Sequence, residues 1–143
     1  MTCRTEWFYI MSEENLKKFI NLFNKTGFGI ILTSSENQPH AAISKDIKLT
    51  KDNKLTISSW FCLTTLKNVR KNPRLSIAVW DESTDKGFQV LGFSEKINDI
   101  KMLDGIIPDD NGGELPNTER EIIMNVEYIL EMKHSAHTDQ PIK

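Results

Sequence analysis

The chain has 143 residues, of which 38% are hydrophobic and 27% charged, and its net charge is −2. The length favours one domain covering residues 1–143, and the composition excludes disordered, collagen-like and coiled-coil proteins. Because no apolar run approaches the ~20 residues of a membrane-spanning helix and no signal-peptide pattern is present, we expect a cytoplasmic protein.

The first half of the chain predicts two helices and three strands. Ser12 can cap an amphipathic helix over 13–25, which Gly27 ends. The strands are predicted over 28–34, 40–49 and 55–60, with a hairpin turn between the last two. A short helix over 64–72 follows, and the Asn-Pro pair at its end stops it.

The second half predicts three further strands, over 75–80, 87–97 and 121–133. Gly92 in the middle of the fifth strand indicates a bulge or a tight bend. We expect 98–118 to form a long excursion with one helical turn near 99–104, and the apolar residues of the last strand to lie on both faces. A mainly β fold follows: a small six-stranded antiparallel barrel with an N-terminal helix and a short helix between strands 3 and 4.

The segment 58–74, SSWFCLTTLKNVRKNPR, has the pattern of an oxyanion site. Ser58 and Ser59 end a strand, and Thr64 and Thr65 stand at a helix N-terminus, where unpaired backbone N–H groups favour a phosphate. Four cations follow without an intervening acid: Lys67, Arg70, Lys71 and Arg74. A Thr-capped helix with a basic solvated face is the alternative interpretation of the same pattern.

Charge is distributed unevenly along the chain. Residues 1–74 carry 12 Lys and Arg against 6 Asp and Glu, whereas residues 75–143 carry 6 against 14. Complementary dimer faces, an anion site in the first half and chance variation of a solvated surface all fit this asymmetry. A nucleic-acid-binding domain is disfavoured because the whole chain is acidic, with a pI near 5.9.

Three blocks of the chain resemble the pyridoxamine 5′-phosphate oxidase-like FMN-binding split barrels. They are GFGIILTSSENQPHAA (27–42), SSWFCLTTLKNVRKNPRLSIAVW (58–80) and DKGFQVLGFSEK (85–96), and the C-terminal NVEYILEMKHSAH (125–137) resembles the closing strand and tail of some members. The resemblance implies a split β-barrel and a homodimer with FMN at each of two interface sites.

The resemblance also implies which residues hold the cofactor. The second strand would contact the flavin ring and ribityl chain through Ile43, Ser44 and Lys45. The third strand would contribute Ser58 and Ser59. Thr64 and Thr65 would hold the phosphate, with Asn68 nearby, and Trp80 or Gln89 would reach the flavin of the partner subunit.

Thr64 and Thr65 depart from the family pattern, since relatives commonly have Lys or Arg at one or both positions. Lys67, Arg70, Lys45 or Lys48 could supply the missing charge. Three functions stay open: a flavin-dependent oxidoreductase of unknown substrate, a non-catalytic FMN-binding or electron-carrier protein, and a flavin-less dimeric barrel that binds another ligand such as haem. No catalytic residue is assigned.

The histidines and cysteines of the chain do not predict a metal site. His134 and His137 form an HxxH pair without an evident third ligand, so we interpret them as tail residues. Cys3 and Cys62 form no CxxC pair, which favours two free thiols in a cytosolic protein. Cys62 lies beside the candidate phosphate site and is interpreted as a small packing residue, because no base partner is evident.

Overall fold

Two helices and seven strands make up the part of the chain that the computed structural model describes, residues 13–59, 61, 63–102 and 118–137. For residues 100–102 and 118 it describes the backbone alone. The elements in chain order are α1 (Glu13–Thr26), β1 (Gly29–Ser35), β2 (Gln38–Ser44), β3 (Asp46–Leu49), β4 (Lys54–Ser59), α2 (Leu63–Lys71), β5 (Arg74–Asp81), β6 (Lys86–Met102) and β7 (Thr118–Glu131).

Helix α1 forms because its apolar residues recur at helical spacing and bury one face. Leu16, Phe19 and Phe23 are almost completely buried, and the helix packs against β5 and β3. Gly27 has a φ of +86° and its N–H donates to the Phe23 carbonyl at 2.7 Å, a C-terminal cap that favours glycine. The predicted first helix and its end are therefore confirmed. None of the helices in the described residues is long and apolar enough to span a membrane.

One continuous antiparallel sheet has the strand order β2-β1-β5-β6-β7-β4-β3. Its two outermost strands, β2 and β3, are separated in sequence by Lys45 alone. The sheet must therefore curl until its two edges meet, which produces the predicted barrel. The predicted second strand over 40–49 is in fact two strands, so the sheet has seven strands rather than six.

The core lies inside the curled sheet, on the face that α1 closes. Each strand contributes alternate side chains to it, as the period of two requires. The strand residues with no exposed surface are Ile31, Leu55, Ile57, Ile77, Val90, Ile122, Met124 and Ile129.

Strands β6 and β7 form a hairpin longer than the sequence predicts. Residues 98–102 continue β6 and pair with β7, so 99–102 are extended and the predicted helical turn near 99–104 is wrong over these four residues. The reason is that their partners on β7 extend the ladder back to residue 118. The rest of the predicted excursion, 103–117, lies outside the described residues.

A bulge between β6 and β7 confirms the prediction made for Gly92. Leu91 pairs with Tyr128 but Gly92 pairs with Val126, so Glu127 is the additional residue on β7. The bulge changes which residues of β7 point inward, from Met124 on one side to Ile129 on the other. It explains why apolar residues of the last strand occupy both alternation phases.

Replacement of Gly92 by Ala tests this bulge. A Cβ at position 92 would lie 1.9 Å from the Asn125 carbonyl oxygen, so the backbone must shift. We expect G92A to lower the free energy of unfolding by about 3 kcal/mol in urea denaturation.

Gly27 provides the matched control. A Cβ at position 27 would meet nothing within 4 Å, so G27A carries only the backbone cost of its positive φ, about 1 kcal/mol. Equal losses in the two variants would contradict the bulge geometry.

Candidate functional site

The seam of the barrel, where β2 passes into β3, is held by two serine hydroxyls. Ser44 Oγ donates to the Ser58 carbonyl at 2.7 Å and accepts the Asp46 N–H at 3.2 Å. Ser59 Oγ donates to the Ile43 carbonyl at 3.2 Å. These bonds join β2 to β4 across the meeting edges. A net contribution of about 1 kcal/mol each is typical of such bonds.

The seam presents a distinct set of side chains to solvent. Ser44 is 1% exposed and Ser58 8%, whereas Ile43, next to Ser44 in the chain, is 57% exposed. Lys45, the one residue between β2 and β3, is also exposed. The backbone is thus fixed by the buried Ser44 hydroxyl and the partly exposed Ser59 hydroxyl, while the Ile43 side chain and the Lys45 ammonium group are exposed to solvent.

Helix α2 begins four residues after β4 ends, which places its N-terminus near the seam. Its apolar residues Leu66 and Val69 are buried, as predicted. Thr65 is completely buried as well, and its Oγ1 lies 3.4 Å from His40 Nδ1 on β2. Asn68 is 8% exposed and donates from Nδ2 to Thr33 Oγ1 on β1 at 3.2 Å. Both side chains therefore attach the helix to the barrel.

Thr64 lies on the other side of the same helix and is exposed. With Lys67, Lys71 and Gln38 it lines a shallow cleft of about 270 Å³ between α2 and the β1–β2 hairpin. Lys71 Nζ forms an ion pair with Glu36 at 3.0 Å. Lys67, the other cation of this cleft, forms no ion pair with any of the described side chains. The basic character predicted for this helix is thus partly neutralised.

The predicted site residues fall into two groups. Ile43, Ser44, Lys45, Ser58 and Ser59 come together at the seam. Thr64, Thr65 and Asn68 lie on α2, with Thr64 alone of the three facing solvent. Cys62, whose number falls between those of the two groups, lies outside the described residues, as do Cys3 and Trp60.

The outer face of the sheet carries an uncharged, mostly apolar surface that was not predicted from the sequence. Two rows cross β2, β1, β5, β6 and β7 in register, and none of their ten residues is charged. The first row is Ile43, Ile30, Ala78, Gln89 and Leu130, and the second is Ala41, Leu32, Ser76, Leu91 and Tyr128. The sequences of β1 and β5 already indicate this surface. Their apolar residues occur at both odd and even positions, so both faces of the sheet carry apolar side chains.

Trp80, 41% exposed at the end of this outer face, is held by Asp85. The indole Nε1–H donates to Asp85 Oδ1 at 2.9 Å, and the same carboxylate accepts the backbone N–H groups of His134 at 2.7 Å and Ser135 at 3.0 Å. These donors, the His134 N–H foremost, lower the pKa of Asp85 well below its ordinary value. Trp80 and the tail containing His134 are therefore fixed together. No cluster of three metal-ligating side chains occurs among the described residues.

No family model and no curated protein matches this sequence. Solved structures do match. HupZ from Group A Streptococcus superposes with a TM-score of 0.59 at 18% identity, covering 85% of this chain and 97% of that protein. An FMN-binding protein from Syntrophomonas wolfei gives 0.59 at 17% identity, covering 94% and 96%.

A third match is a protein from Clostridium acetobutylicum related to general stress protein 26, described as of the pyridoxinephosphate oxidase family. It gives a TM-score of 0.59 at 15% identity, covering 86% of this chain and 91% of that one. Sequence identities this low show a similar backbone fold and nothing more. That fold agrees with the barrel predicted from the sequence blocks. The chain has the split β-barrel fold of the pyridoxamine 5′-phosphate oxidase-like and FMN-binding proteins.

Proposed function

We propose that this protein binds FMN at the seam of its barrel and acts as a flavin-dependent oxidoreductase. The observation that carries the proposal is the arrangement of the seam, where Ile43 and Lys45 are exposed beside a backbone fixed by Ser44. The fold is shared with a protein described as FMN-binding, which supports the same cofactor here.

The seam residues fit the ring and ribityl parts of FMN. Ile43 offers an apolar surface of the kind that stacks against a flat ring, and Lys45 and Ser59 offer polar groups at its edge. Ser44 is engaged with backbone groups, so its role would be to position the β2 backbone rather than to contact the cofactor through its hydroxyl.

Fewer groups are placed to bind the phosphate of FMN than the sequence predicted. Thr64 would contribute its exposed hydroxyl, and the first turn of α2 would contribute backbone N–H groups, which have no partner within a helix. Lys67 would supply the cation that the resembling proteins commonly have at the position of Thr64 or Thr65. Thr65 and Asn68 would act indirectly, because their contacts to His40 and Thr33 orient the helix.

We propose further that the outer face of the sheet pairs with a second copy to form a homodimer. Contiguous apolar surface of this kind marks an interaction site when it is large. Ile43 belongs to both the outer face and the seam, so a second copy on this face would cover the proposed ring site. Gln89 and Trp80 of the second copy would then be the residues nearest the ring.

Bound FMN would supply the electron or hydride transfer itself. The residues of this chain would bind the cofactor, hold its ring against the apolar outer face and exclude water from it. Gln89 is held on this outer face, where its Nε2 donates to Ser76 Oγ at 3.4 Å.

Substitutions of Thr64 test the phosphate site. Thr64→Asp places a carboxylate at the helix N-terminus and should weaken FMN binding at least tenfold by repelling the phosphate. Thr64→Lys should tighten it about tenfold, because charge-assisted hydrogen bonds to phosphate contribute roughly 1.5–3 kcal/mol. The measurement is a titration that follows quenching of flavin fluorescence.

Lys17→Gln is the control for this pair, because it removes an exposed, ion-paired cation from α1, none of whose residues lines this cleft. Its affinity should stay within about twofold of the original protein. A Thr64→Asp variant that binds FMN normally would show that the phosphate lies elsewhere.

Ala41→Glu tests the homodimer. Ala41 is exposed at the β2 end of the second row of the outer face, so a glutamate there leaves the barrel core intact but buries a charge in the proposed interface. Sedimentation velocity should give a dimer for the original protein and for Lys51→Glu in an exposed turn, and a monomer for Ala41→Glu. A monomeric original protein would refute the dimer.

Anaerobic reduction distinguishes the oxidoreductase from an electron carrier. Addition of NADH or NADPH to the FMN-loaded protein under anaerobic conditions should bleach the flavin absorbance within seconds to minutes. A protein that stays yellow with both nucleotides but bleaches with dithionite would be a carrier, or would use another donor.

A further inference from the structure

Asp85 joins two parts of the chain that are far apart in sequence, Trp80 and the residues after β7. Its carboxylate accepts three N–H groups, from the Trp80 indole at 2.9 Å and from the backbone of His134 at 2.7 Å and of Ser135 at 3.0 Å. Hydrogen bonds to a charged acceptor are stronger than those between neutral groups. Asp85 also has a φ of +53°, in the left-handed region that glycine adopts most readily. A carboxylate therefore stands where the turn alone would favour glycine.

The Trp80 indole is fixed on a second side by Gly87, the second residue of β6. A Cβ at position 87 would lie 3.1 Å from Trp80 Cδ1 and 2.6 Å from the Met132 carbonyl oxygen. The indole thus lies close over a backbone position that has no room for a side chain. The neighbours of β5 in the sheet are β1 and β6. Because the indole lies over β6, it leans away from β1 and from the seam of its own chain.

Trp80 lies at the end of the outer face where β2 reaches the seam. Ile30 pairs with Ala78 on β5, and Gly29, next to Ile30, pairs with Ser44 on β2. Trp80 is two residues beyond Ala78 in that direction, so its side chain is on the same face as Ala78. An exposed indole held in one orientation is therefore presented at the seam end of the face that we propose for the dimer.

We propose that Asp85 is a positioning residue of the flavin site, which holds the Trp80 indole in the orientation that meets the flavin of the second copy. This inference rests on the FMN binding and the homodimer proposed above. Asp85 acts through Trp80 and does not touch the cofactor. The residues after β7 support the carboxylate with two backbone N–H groups, and the Met132 N–H donates to the Gly87 carbonyl at 2.9 Å.

The emission of protein-bound FMN is the readout, because an indole in contact with a flavin ring quenches its fluorescence. Trp80→Phe should raise this emission severalfold, since phenylalanine does not quench it. Asp85→Asn should raise it as well and should weaken FMN binding about fivefold, a typical cost of ordering one side chain that is no longer held. Asparagine adopts a positive φ as readily as aspartate, so this variant keeps the turn.

Asp81→Asn is the matched control from the same turn. The Asp81 carboxylate accepts hydrogen bonds from Ser83 and Thr84 at 2.9 Å and pairs with Lys25 on α1 at 2.7 Å. Lys25 first, and then these hydroxyls, lower the pKa of Asp81 well below its ordinary value, as the donors around Asp85 do there. Asp81→Asn should therefore lower the stability of the protein as Asp85→Asn does, but leave FMN affinity and emission unchanged.

A double variant separates a positioning role from a structural one. Asp85→Asn combined with Trp80→Phe should give the same FMN emission as Trp80→Phe alone, because Asp85 acts through Trp80. Unchanged emission in Trp80→Phe or in Asp85→Asn, or a further rise in the double variant, would overturn the role of Asp85 and leave the flavin site in place. An original protein that binds no FMN would refute the proposed function, and this role with it.

Discussion

The structure depends on the crossing at Lys45, where one chain segment leaves one edge of the sheet and joins the other. A curled sheet with seven strands has two edges with unpaired backbone groups, and edges of this kind are a liability in β proteins. Here β2 and β3 occupy the two edges and are continuous with each other, so the edges must meet. At this crossing the buried Ser44 hydroxyl donates to the Ser58 carbonyl and accepts the Asp46 N–H.

The seam determines what surrounds it. Because Ser44 is buried, its neighbours Ile43 and Lys45 point outward, and because β4 ends at the seam, α2 starts beside it. Ile43 also begins the first apolar row of the outer face, so the proposed cofactor site and the proposed dimer face share a residue. The same sheet is thus apolar inside, where α1 and the core cover it, and apolar outside, where a second copy is the proposed cover.

Several elements could be predicted from residues alone. The end of α1 at Gly27 follows from a positive φ that glycine adopts readily, and the bulge at Gly92 from a close approach to Asn125 that leaves no room for a Cβ. The barrel and its strand-helix-strand segment followed from the order of apolar runs and turns, and the comparisons confirm that fold.

Other features could not be predicted because they depend on which surfaces meet. The division of the second strand at Lys45 leaves the apolar pattern of 40–49 unchanged, so only the pairing of the two halves reveals it. Thr65 and Asn68 resembled phosphate ligands by residue type. They are buried because α2 packs its Thr65–Asn68 stripe on β1 and β2, and the sequence alone does not fix that orientation.

The absorbance spectrum of the purified protein after addition of FMN and removal of the excess tests the central claim most directly. We predict a yellow protein that retains about one FMN per chain through gel filtration. A folded protein that emerges colourless would contradict the assignment of the seam as a flavin site.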